Sequence, residues 1–258
     1  MEWGSTQRRG WTLAFKNLCF PIFCLSCQER LLTEENGYFC PTCWELAPRI
    51  EPPLCPTCGR PHVTMVGLGN RRNFPCVDCR DNPPEIVGCI HGAALYEGVI
   101  AEAVQALKFN DKYRLAGPLG ELMMAFAEAH MDVEGYDLIV PVPLHRVRLR
   151  ERGYNQSALL AWACVDAFPL AEVVDALQRI RPTQTQSKLA GEKRANNVRG
   201  AFAVTGDEVD GKRVLLIDDV VTSGGTVVEC ARALMRAGAK HVDVFATALV
   251  IHRATAKR

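Results

Sequence analysis

The segment that most constrains this chain is residues 214–226, in which aliphatic residues lead into two adjacent acids and then a loop of small residues. The four residues before Asp218 and Asp219 are typical of a buried strand. The loop that follows, Thr-Ser-Gly-Gly-Thr at 222–226, opens a segment whose apolar residues have helical spacing. A glycine-rich loop at a helix N-terminus leaves N–H groups unpaired and lets the backbone approach an anion closely. We therefore predict a phosphate site at residues 222–226.

The alternative is an ordinary turn between a strand and a helix, capped by a threonine or serine. Two consecutive acids at the end of a buried strand are costly without a ligand or partner, which favours a binding site. The segment lacks the G-x-x-x-x-G-K-[ST] and G-x-G-x-x-G patterns of commoner nucleotide sites.

The segment instead resembles the 5-phosphoribosyl-1-pyrophosphate (PRPP) motif of type I phosphoribosyltransferases. The resemblance implies that Asp218 and Asp219 are the catalytic pair and contact the ribose 2′- and 3′-hydroxyls. It does not favour one acid over the other. It also implies that the 5′-phosphate is held by the loop residues Thr222, Ser223, Gly224, Gly225 and Thr226.

The cysteines form the second unusual feature of the sequence. Of twelve, ten precede residue 90, and eight of those lie in four Cys-x-x-Cys pairs. The pairs are Cys24 with Cys27, Cys40 with Cys43, Cys55 with Cys58, and Cys76 with Cys79. This spacing indicates metal ligands in a cytoplasmic protein and disulfides in a secreted one. Because the N-terminal region has no clear signal peptide and no apolar stretch of membrane-spanning length, we expect a cytoplasmic protein with no membrane span.

Four pairs supply eight thiolates, enough for two closed tetrahedral sites, and we predict two structural zinc ions. The simplest grouping is sequential, with the first two pairs on one ion and the last two on the other. A crossed grouping is also compatible with the spacing. Iron bound by four thiolates is an alternative, and a redox-active dithiol is a weaker one.

From residue 86 onward, the chain alternates predicted strands with predicted helices. The strands are expected at 91–96, 136–143, 173–177, 214–217 and 241–249, and the helices at 100–109, 115–129, 154–168 and 227–237. This order favours an α/β domain with a mainly parallel sheet and flanking helices, whose strand C-termini share one crevice. We expect three parts: a leader with a short helix at 1–18, a small Cys-rich unit at 19–85, and the α/β domain at 86–258.

The first of two basic segments is residues 141–156, which follow a predicted strand and carry four arginines against one glutamate. Those arginines, Arg146, Arg148, Arg150 and Arg152, alternate along the chain, so an extended backbone would place them on one side. Arginine suits bidentate contact with phosphate oxygens, and we expect some of them, with Arg146 as our candidate, to bind pyrophosphate. The alternative is a solvated basic edge.

The second basic segment, residues 179–200, has six basic residues against one acid and is too long for a simple turn. In type I phosphoribosyltransferases the corresponding segment is a mobile hood over the pyrophosphate, which excludes water. The resemblance makes Lys188 and Arg194 our candidates for that contact. A nucleic-acid contact is the rival interpretation, since a basic loop also neutralises backbone phosphates.

Several further segments resemble the competence protein F (ComF/GntX) family. They are Pro-Val-Pro-Leu-His at 141–145, Arg-Gly-Tyr-Asn-Gln at 152–156, and the run from Arg179 to Phe202 with its Gln-Ser-Lys-Leu and Arg-Gly-Ala-Phe segments. The resemblance covers about residues 18–250. It implies a Cys-rich double zinc ribbon preceding a type I phosphoribosyltransferase-like domain, which has a mainly parallel sheet, flanking helices and a hood.

Two functions compete at this point. The first is an enzyme that displaces pyrophosphate from Mg²⁺-bound PRPP with an acceptor that the sequence does not identify. The second is a non-catalytic module that senses PRPP or a nucleotide and binds single-stranded DNA or a DNA-uptake protein, as the family's link to natural transformation implies. The formal net charge of +1 gives no global argument for nucleic acid. The zinc ribbons would serve either as a partner surface or as a structural staple.

Overall fold

The structure, a computed structural model, describes residues 21–31, 37–62, 74–81, 88–181 and 198–251. The helix expected within residues 11–18 lies outside these ranges. So do the candidate ligands Lys188 and Arg194, whose roles stay predictions.

The Cys-rich part consists of short elements around its cysteines. It contains strands β1 (Ile22–Phe23) and β2 (Arg30–Leu31), which pair antiparallel, and helices α1 (Pro41–Glu45) and α2 (Val77–Asp81). Each helix carries a Cys-x-x-Cys cysteine, and Cys40 accepts a hydrogen bond from the N–H of Cys43 at the start of α1. The backbone is therefore organised by the cysteine pairs.

The larger part of the chain is built on a five-stranded parallel sheet. Its strands occur in the order β3-β9-β8-β4-β5, and β6 and β7 form a separate antiparallel pair. In chain order these are β3 (Ile90–Leu95), β4 (Leu138–Pro141), β5 (Glu172–Val173), β6 (Leu177–Arg179), β7 (Phe202–Val204), β8 (Arg213–Val221) and β9 (His241–Leu249). All four neighbouring pairs in the sheet are parallel. The predicted α/β fold with a mainly parallel sheet is confirmed.

In the ranges that the structure describes, five α-helices connect or follow these strands. They are α3 (Gly98–Phe109), α4 (Ala116–His130), α5 (Arg146–Arg152), α6 (Gln156–Cys164) and α7 (Gly225–Arg236). Helix α4 buries Leu119, Leu122, Met123 and Phe126, the apolar side expected from the spacing. Strands β8 and β9 are buried along most of their length, as inner strands of a parallel sheet covered by helices usually are.

Three local expectations differ from the structure. Strand β8 does not end before the acids but continues through Asp218 and Asp219 to Val221. The single strand predicted at 173–177 is two short strands, β5 in the parallel sheet and β6 in the antiparallel pair. Hydrophobic pattern alone could not divide a run this short between two sheets.

The third difference concerns the arginine segment, where the extended conformation is wrong. Residues 146–152 form helix α5, which begins where His145 accepts a hydrogen bond from the N–H of Val147. The helix ends at Gly153, whose φ of 79° is left-handed and suits glycine. Every second residue in this segment is arginine, but a helix places residues three and four apart on one side. Arg148 and Arg152 are four apart and therefore share a face, whereas Arg146 and Arg150 do not lie on it.

Backbone hydrogen bonds join the Cys-rich part to strand β3. The N–H of Ile50 donates to the carbonyl of Ala93 at 3.0 Å, and that of Leu95 donates to Pro48 at 2.8 Å. Near the third cysteine pair, the N–H of Ile90 donates to Thr57 at 3.0 Å. The proposed boundary at residues 85 and 86 falls outside the described ranges and stays a prediction.

No helix in the described part of the chain has both the length and the apolar character needed to cross a membrane.

Candidate functional site

The acid pair lies near the C-terminal end of β8, with both side chains buried. Asp218 is 8% exposed and Asp219 is 3% exposed. Oδ1 of Asp218 accepts two hydrogen bonds, from the hydroxyl of Ser157 at 3.1 Å and from the N–H of Asp219 at 2.9 Å. Burial and the charge of Asp219 raise the pKa of Asp218 to about 7, against the lowering effect of Lys108. Asp218 is therefore held by the protein itself and binds a proton readily.

Asp219 has a different environment from its neighbour. Its Oδ1 lies 2.9 Å from Nζ of Lys108, at the C-terminal end of α3. Its Oδ2 is buried and has no hydrogen-bond partner in the described part of the chain. Buried carboxylate oxygens are normally paired, because leaving one unpaired costs about 1–3 kcal/mol or more. An unsatisfied oxygen in a cavity wall indicates a place for a ligand donor.

The loop at residues 222–226 leads directly into α7. Gly224, at the N-cap, has a φ of 78°, and the helix starts at Gly225 without a side-chain cap. Gly224 has no side chain that could cap the first turn of α7, and the helix dipole adds positive potential there. This geometry suits an anion, and the phosphate site at residues 222–226 stays a prediction.

A cavity of about 580 Å³ joins the acid pair, the loop and the basic helix α5. Of the predicted site residues, six line it: Asp218, Asp219, Thr222, Gly224, Gly225 and Thr226. Its wall also carries four cationic side chains: Lys108, Arg148, Arg152 and Arg179. Carboxylates and cations therefore face one space, as a ligand with both hydroxyl and phosphate groups requires.

Two predicted ligands are placed elsewhere. Ser223 lines an adjoining cavity of about 270 Å³, between the phosphate loop and the last two cysteine pairs. Arg146 is not among the residues that line the larger cavity, because α5 turns Arg148 and Arg152 toward it instead. The candidate that geometry favours for an anion contact from this helix is accordingly Arg148 or Arg152.

The segment after α5 makes hydrogen bonds that hold neighbouring elements of the site together. Asn155 caps α6 by accepting from the N–H of Ser157 at 3.1 Å, and its amide donates to the carbonyl of Val142 at 3.0 Å. The hydroxyl of Tyr154 donates to the carbonyl of Leu107, next to the lysine that pairs with Asp219. Residues 152–157 thus link α3, β4 and the acid pair.

Sequence reasoning missed Lys108 and Ser157. In the sequence, Lys108 is only a lysine in the last turn of a helix. A cation at that position interacts favourably with the helix dipole whichever way its side chain points. Ser157 follows the Arg-Gly-Tyr-Asn-Gln segment and lies 61 residues from its partner Asp218, so no local pattern joins them. Both are found only once the fold brings α3 and α6 to β8.

The eight paired cysteines form two clusters, and the grouping is sequential. In each, the four Sγ atoms lie within 4.8 Å of one another: Cys24, Cys27, Cys40 and Cys43 in the first, and Cys55, Cys58, Cys76 and Cys79 in the second. Backbone N–H groups point at sulfur in both, from Cys40 to Cys24 at 3.4 Å and from Cys76 to Cys55 at 3.3 Å. This donor set fits structural zinc with no position left open.

The thiols of one cluster cannot all ionise without a cation. Burial would raise the pKa of Cys24, but hydrogen bonds from backbone N–H groups outweigh it and bring that pKa to about 6. In the same cluster, hydrogen bonding to Cys40, with burial and nearby thiols, raises the pKa of Cys43 to about 12. A divalent ion would remove this conflict by stabilising all four thiolates together.

Comparison with known proteins assigns both parts of the chain. Residues 15–82 match the double zinc ribbon domain, and residues 170–258 match the phosphoribosyl transferase domain. The DNA utilization protein YhgH of Escherichia coli (strain K12) is 32% identical over 231 residues, which are 88% of this chain and 97% of that protein. The chain belongs to the competence protein F (ComF/GntX) family.

A further relative and a solved structure are also similar to the chain. The competence protein F of Haemophilus influenzae is 27% identical over 235 residues, or 89% of this chain and 97% of its own. Among solved structures, a glutamine phosphoribosylpyrophosphate amidotransferase from B. subtilis is 21% identical over 52% of this chain and 26% of its own, with a TM-score of 0.36.

Proposed function

We propose that this member of the competence protein F family binds PRPP, or a closely related phosphoribosyl ligand, in the larger cavity. The observation that carries the proposal is Oδ2 of Asp219, which is buried without a hydrogen-bond partner in the described part of the chain, in a wall that also holds the N-terminus of α7. A ribose hydroxyl would satisfy that oxygen, and the N–H groups of residues 224–226 would hold a 5′-phosphate.

The pyrophosphate would lie toward α5 and the β6–β7 pair. Arg148, Arg152 and Arg179 line that side of the cavity and can pair with phosphate oxygens. The pyrophosphate would carry Mg²⁺, held mainly by its own oxygens and by water, and the ion would neutralise the leaving group. The contributions of this chain are position and charge: two acids on the ribose side and arginines on the pyrophosphate side.

The names of the relatives connect this chemistry to DNA. YhgH is called a DNA utilization protein, and the Haemophilus influenzae relative a competence protein. We propose that this chain acts in DNA uptake or use, in a step that depends on a phosphoribosyl ligand.

Isothermal titration calorimetry with PRPP and Mg²⁺ on zinc-loaded protein tests the binding proposal. The informative variant is Asp218→Asn with Asp219→Asn, and the matched control is Glu151→Gln, which removes an acid from the same cavity. Removing negative charge should by itself strengthen the binding of an anion. A loss of about tenfold or more in the double variant would therefore report lost hydroxyl contacts.

The outcomes separate clearly. Wild-type binding with loss in the double variant and none in the control supports the proposal. Absence of binding by the wild type contradicts it. Turnover is tested separately, as pyrophosphate release in the presence of nitrogen-containing acceptors.

A second candidate, single-stranded DNA binding, has one observation in its favour. Phe109 is 67% exposed beside the cavity, and the guanidinium of Arg152 lies 5.2 Å from its ring centroid. An exposed ring next to arginines is a surface on which a nucleobase can stack. Fluorescence anisotropy with a labelled oligonucleotide should show a loss of affinity in Phe109→Ala, and a steep salt dependence. Equal affinity in wild type and variant would remove this candidate.

A further inference from the structure

Lys108 is mostly buried and paired with an acid, unlike an ordinary surface lysine at a helix end. Its Nζ lies 2.9 Å from Oδ1 of Asp219, and its side chain is only 21% exposed. A lysine that merely complements the helix dipole remains solvated, since burying the charge carries a penalty. The burial of Lys108 is therefore explained by its partner and not by the helix.

The two oxygens of the Asp219 carboxylate have different environments. Oδ1 of Asp219 is paired to Lys108, whereas Oδ2 is buried without a partner in the described part of the chain. Asp218, by contrast, is anchored by Ser157 and by the backbone N–H of Asp219. The buried oxygen without a partner in the described part of the chain therefore belongs to Asp219, and Lys108 fixes the direction in which that oxygen lies.

The surrounding charges keep Lys108 in its charged form. Burial acts to lower the pKa of Lys108, but the charge and hydrogen bond of Asp219, with a smaller effect of Asp218, raise it overall. The ammonium group and the Asp219 carboxylate therefore stabilise each other in a place where either alone would be costly.

The end of helix α3 that carries Lys108 is itself held in place. The preceding carbonyl, that of Leu107, accepts a hydrogen bond from the hydroxyl of Tyr154. The following ring, that of Phe109, lies under the guanidinium of Arg152. Contacts on both sides of Lys108 thus come from the segment that also supports the acid pair, which indicates a preorganised group.

We propose that Lys108 is a positioning residue for ligand binding, which acts through Asp219 by neutralising one carboxylate oxygen and presenting the other to the ligand. The inference deepens the proposed function and rests on it, because the ligand in question is the phosphoribosyl compound. Lys108 contacts Asp219, and Asp219 contacts the ligand.

A double-mutant cycle tests this role by measuring PRPP affinity, with Mg²⁺, in Lys108→Met, Asp219→Asn and the double variant. Methionine keeps the length and the apolar stem of lysine but removes its charge. If Lys108 acts through Asp219, Lys108→Met should lose about tenfold or more in affinity, and the double variant should be no more than about threefold weaker than Asp219→Asn alone. Lys108→Arg should restore affinity to within about fivefold of the wild type, because the charge is retained.

The control is Lys112→Met. Lys112 lies four residues further on, 4.9 Å from the ring centroid of Tyr38, and does not line the cavity. Its removal takes away the same charge from nearly the same place, so its affinity should stay within about twofold of the wild type. An equal loss in both lysine variants would mean that general positive charge is responsible, and would overturn the proposal.

Thermal unfolding supplies a readout that needs no ligand. Lys108→Met leaves a buried, uncompensated Asp219 and should lower Tm by several degrees, whereas the double variant should recover part of that loss. Affinity losses that multiply in the double variant would show an independent ligand contact of Lys108 and would overturn the positioning role. Binding by the wild type with no change in Lys108→Met would overturn this inference alone, and no binding by the wild type would overturn the proposed function with it.

Discussion

The hydroxyl of Ser157 donates a hydrogen bond to Oδ1 of Asp218 over 3.1 Å, so helix α6 is joined directly to the acid pair on β8. Both residues are buried, with Ser157 fully inaccessible and Asp218 8% exposed. The bond distinguishes the two acids. Oδ1 of Asp218 is hydrogen-bonded within the protein, whereas Oδ2 of Asp219 is buried without a partner in the described part of the chain.

Ser157→Ala should destabilise the protein by about 1–3 kcal/mol, because a buried carboxylate loses a donor that water cannot replace. Urea denaturation followed by circular dichroism measures the change. Ser223→Ala is the control, since Ser223 is exposed in the loop and its replacement should change stability by less than about 0.5 kcal/mol. Equal stabilities of the two variants would contradict the importance of this bond.

The stability of the wild type should depend on pH through Asp218. Burial and the charge of Asp219 raise its pKa in the folded state from 3.8 to about 7, so the folded state binds more protons than the unfolded state between these values. The favourable contribution of the protonated group is therefore complete below about pH 4 and is lost as pH rises through 7. Relative to Asp218→Asn, which cannot titrate, the wild type should lose up to about 1.4 kcal/mol per pH unit between pH 5 and 7. Parallel pH profiles of the two proteins, measured by urea denaturation, would be inconsistent with a buried proton at this site.

Freshly purified protein should contain two zinc ions per chain, one for each four-cysteine cluster. Elemental analysis of Cys55→Ser should give one, because three thiolates bind the ion far less tightly than four. Cys89→Ser is the matched control, as Cys89 belongs to neither cluster, and it should retain two. Iron in place of zinc, or one ion in the wild type, would refute this assignment.

Gly59→Ala should weaken the second cluster and the protein as a whole. Gly59 has a φ of 66°, and a Cβ there would lie 2.2 Å from the carbonyl oxygen of Ile90. Gly37 is the control, since its φ is 67° but nothing lies within 4 Å of the corresponding position. We expect about 1–2 kcal/mol of destabilisation for Gly37→Ala from backbone conformation alone, and about 2–5 kcal/mol for Gly59→Ala, where contact with the backbone is added. Thermal unfolding and zinc content of the two variants measure the difference, and identical results would show that β3 can move away.

Residues with a local signal were the ones that the sequence could place. The strand at 241–249 and the helices at 100–109 and 115–129 are found within a few residues of their predicted bounds, because hydrophobic period depends on neighbours in the chain. The loop at residues 222–226 gave a local signal of the same kind, since glycines and hydroxyls follow a strand directly, and its role as a phosphate site stays a prediction. The structure has the sequential grouping of the cysteines, which was the simplest one, although spacing alone left a crossed grouping open.

Partners that come from distant elements could not be found in this way. Lys108 and Asp219 are brought together only by the packing of α3 near β8, and nothing near Lys108 in the chain indicates it. The conformation of the arginine segment was missed for another reason. Alternating arginines are compatible with an extended strand, but an N-cap at His145 and a left-handed Gly153 favour a helix. Capping outweighed the pattern of charges, and it changed which arginines face the cavity.

The contacts of Pro48 and Ile50 with strand β3 have a consequence for the α/β domain in isolation. Strand β3 is the last in its sheet, and its outer side is occupied by an antiparallel bridge between Arg49 and Ala94 and by the flanking hydrogen bonds. Without the Cys-rich part, those N–H and C=O groups would form an open edge on which another chain could add a strand. If loss of metal unfolds the Cys-rich part, this edge of the sheet would become open to self-association.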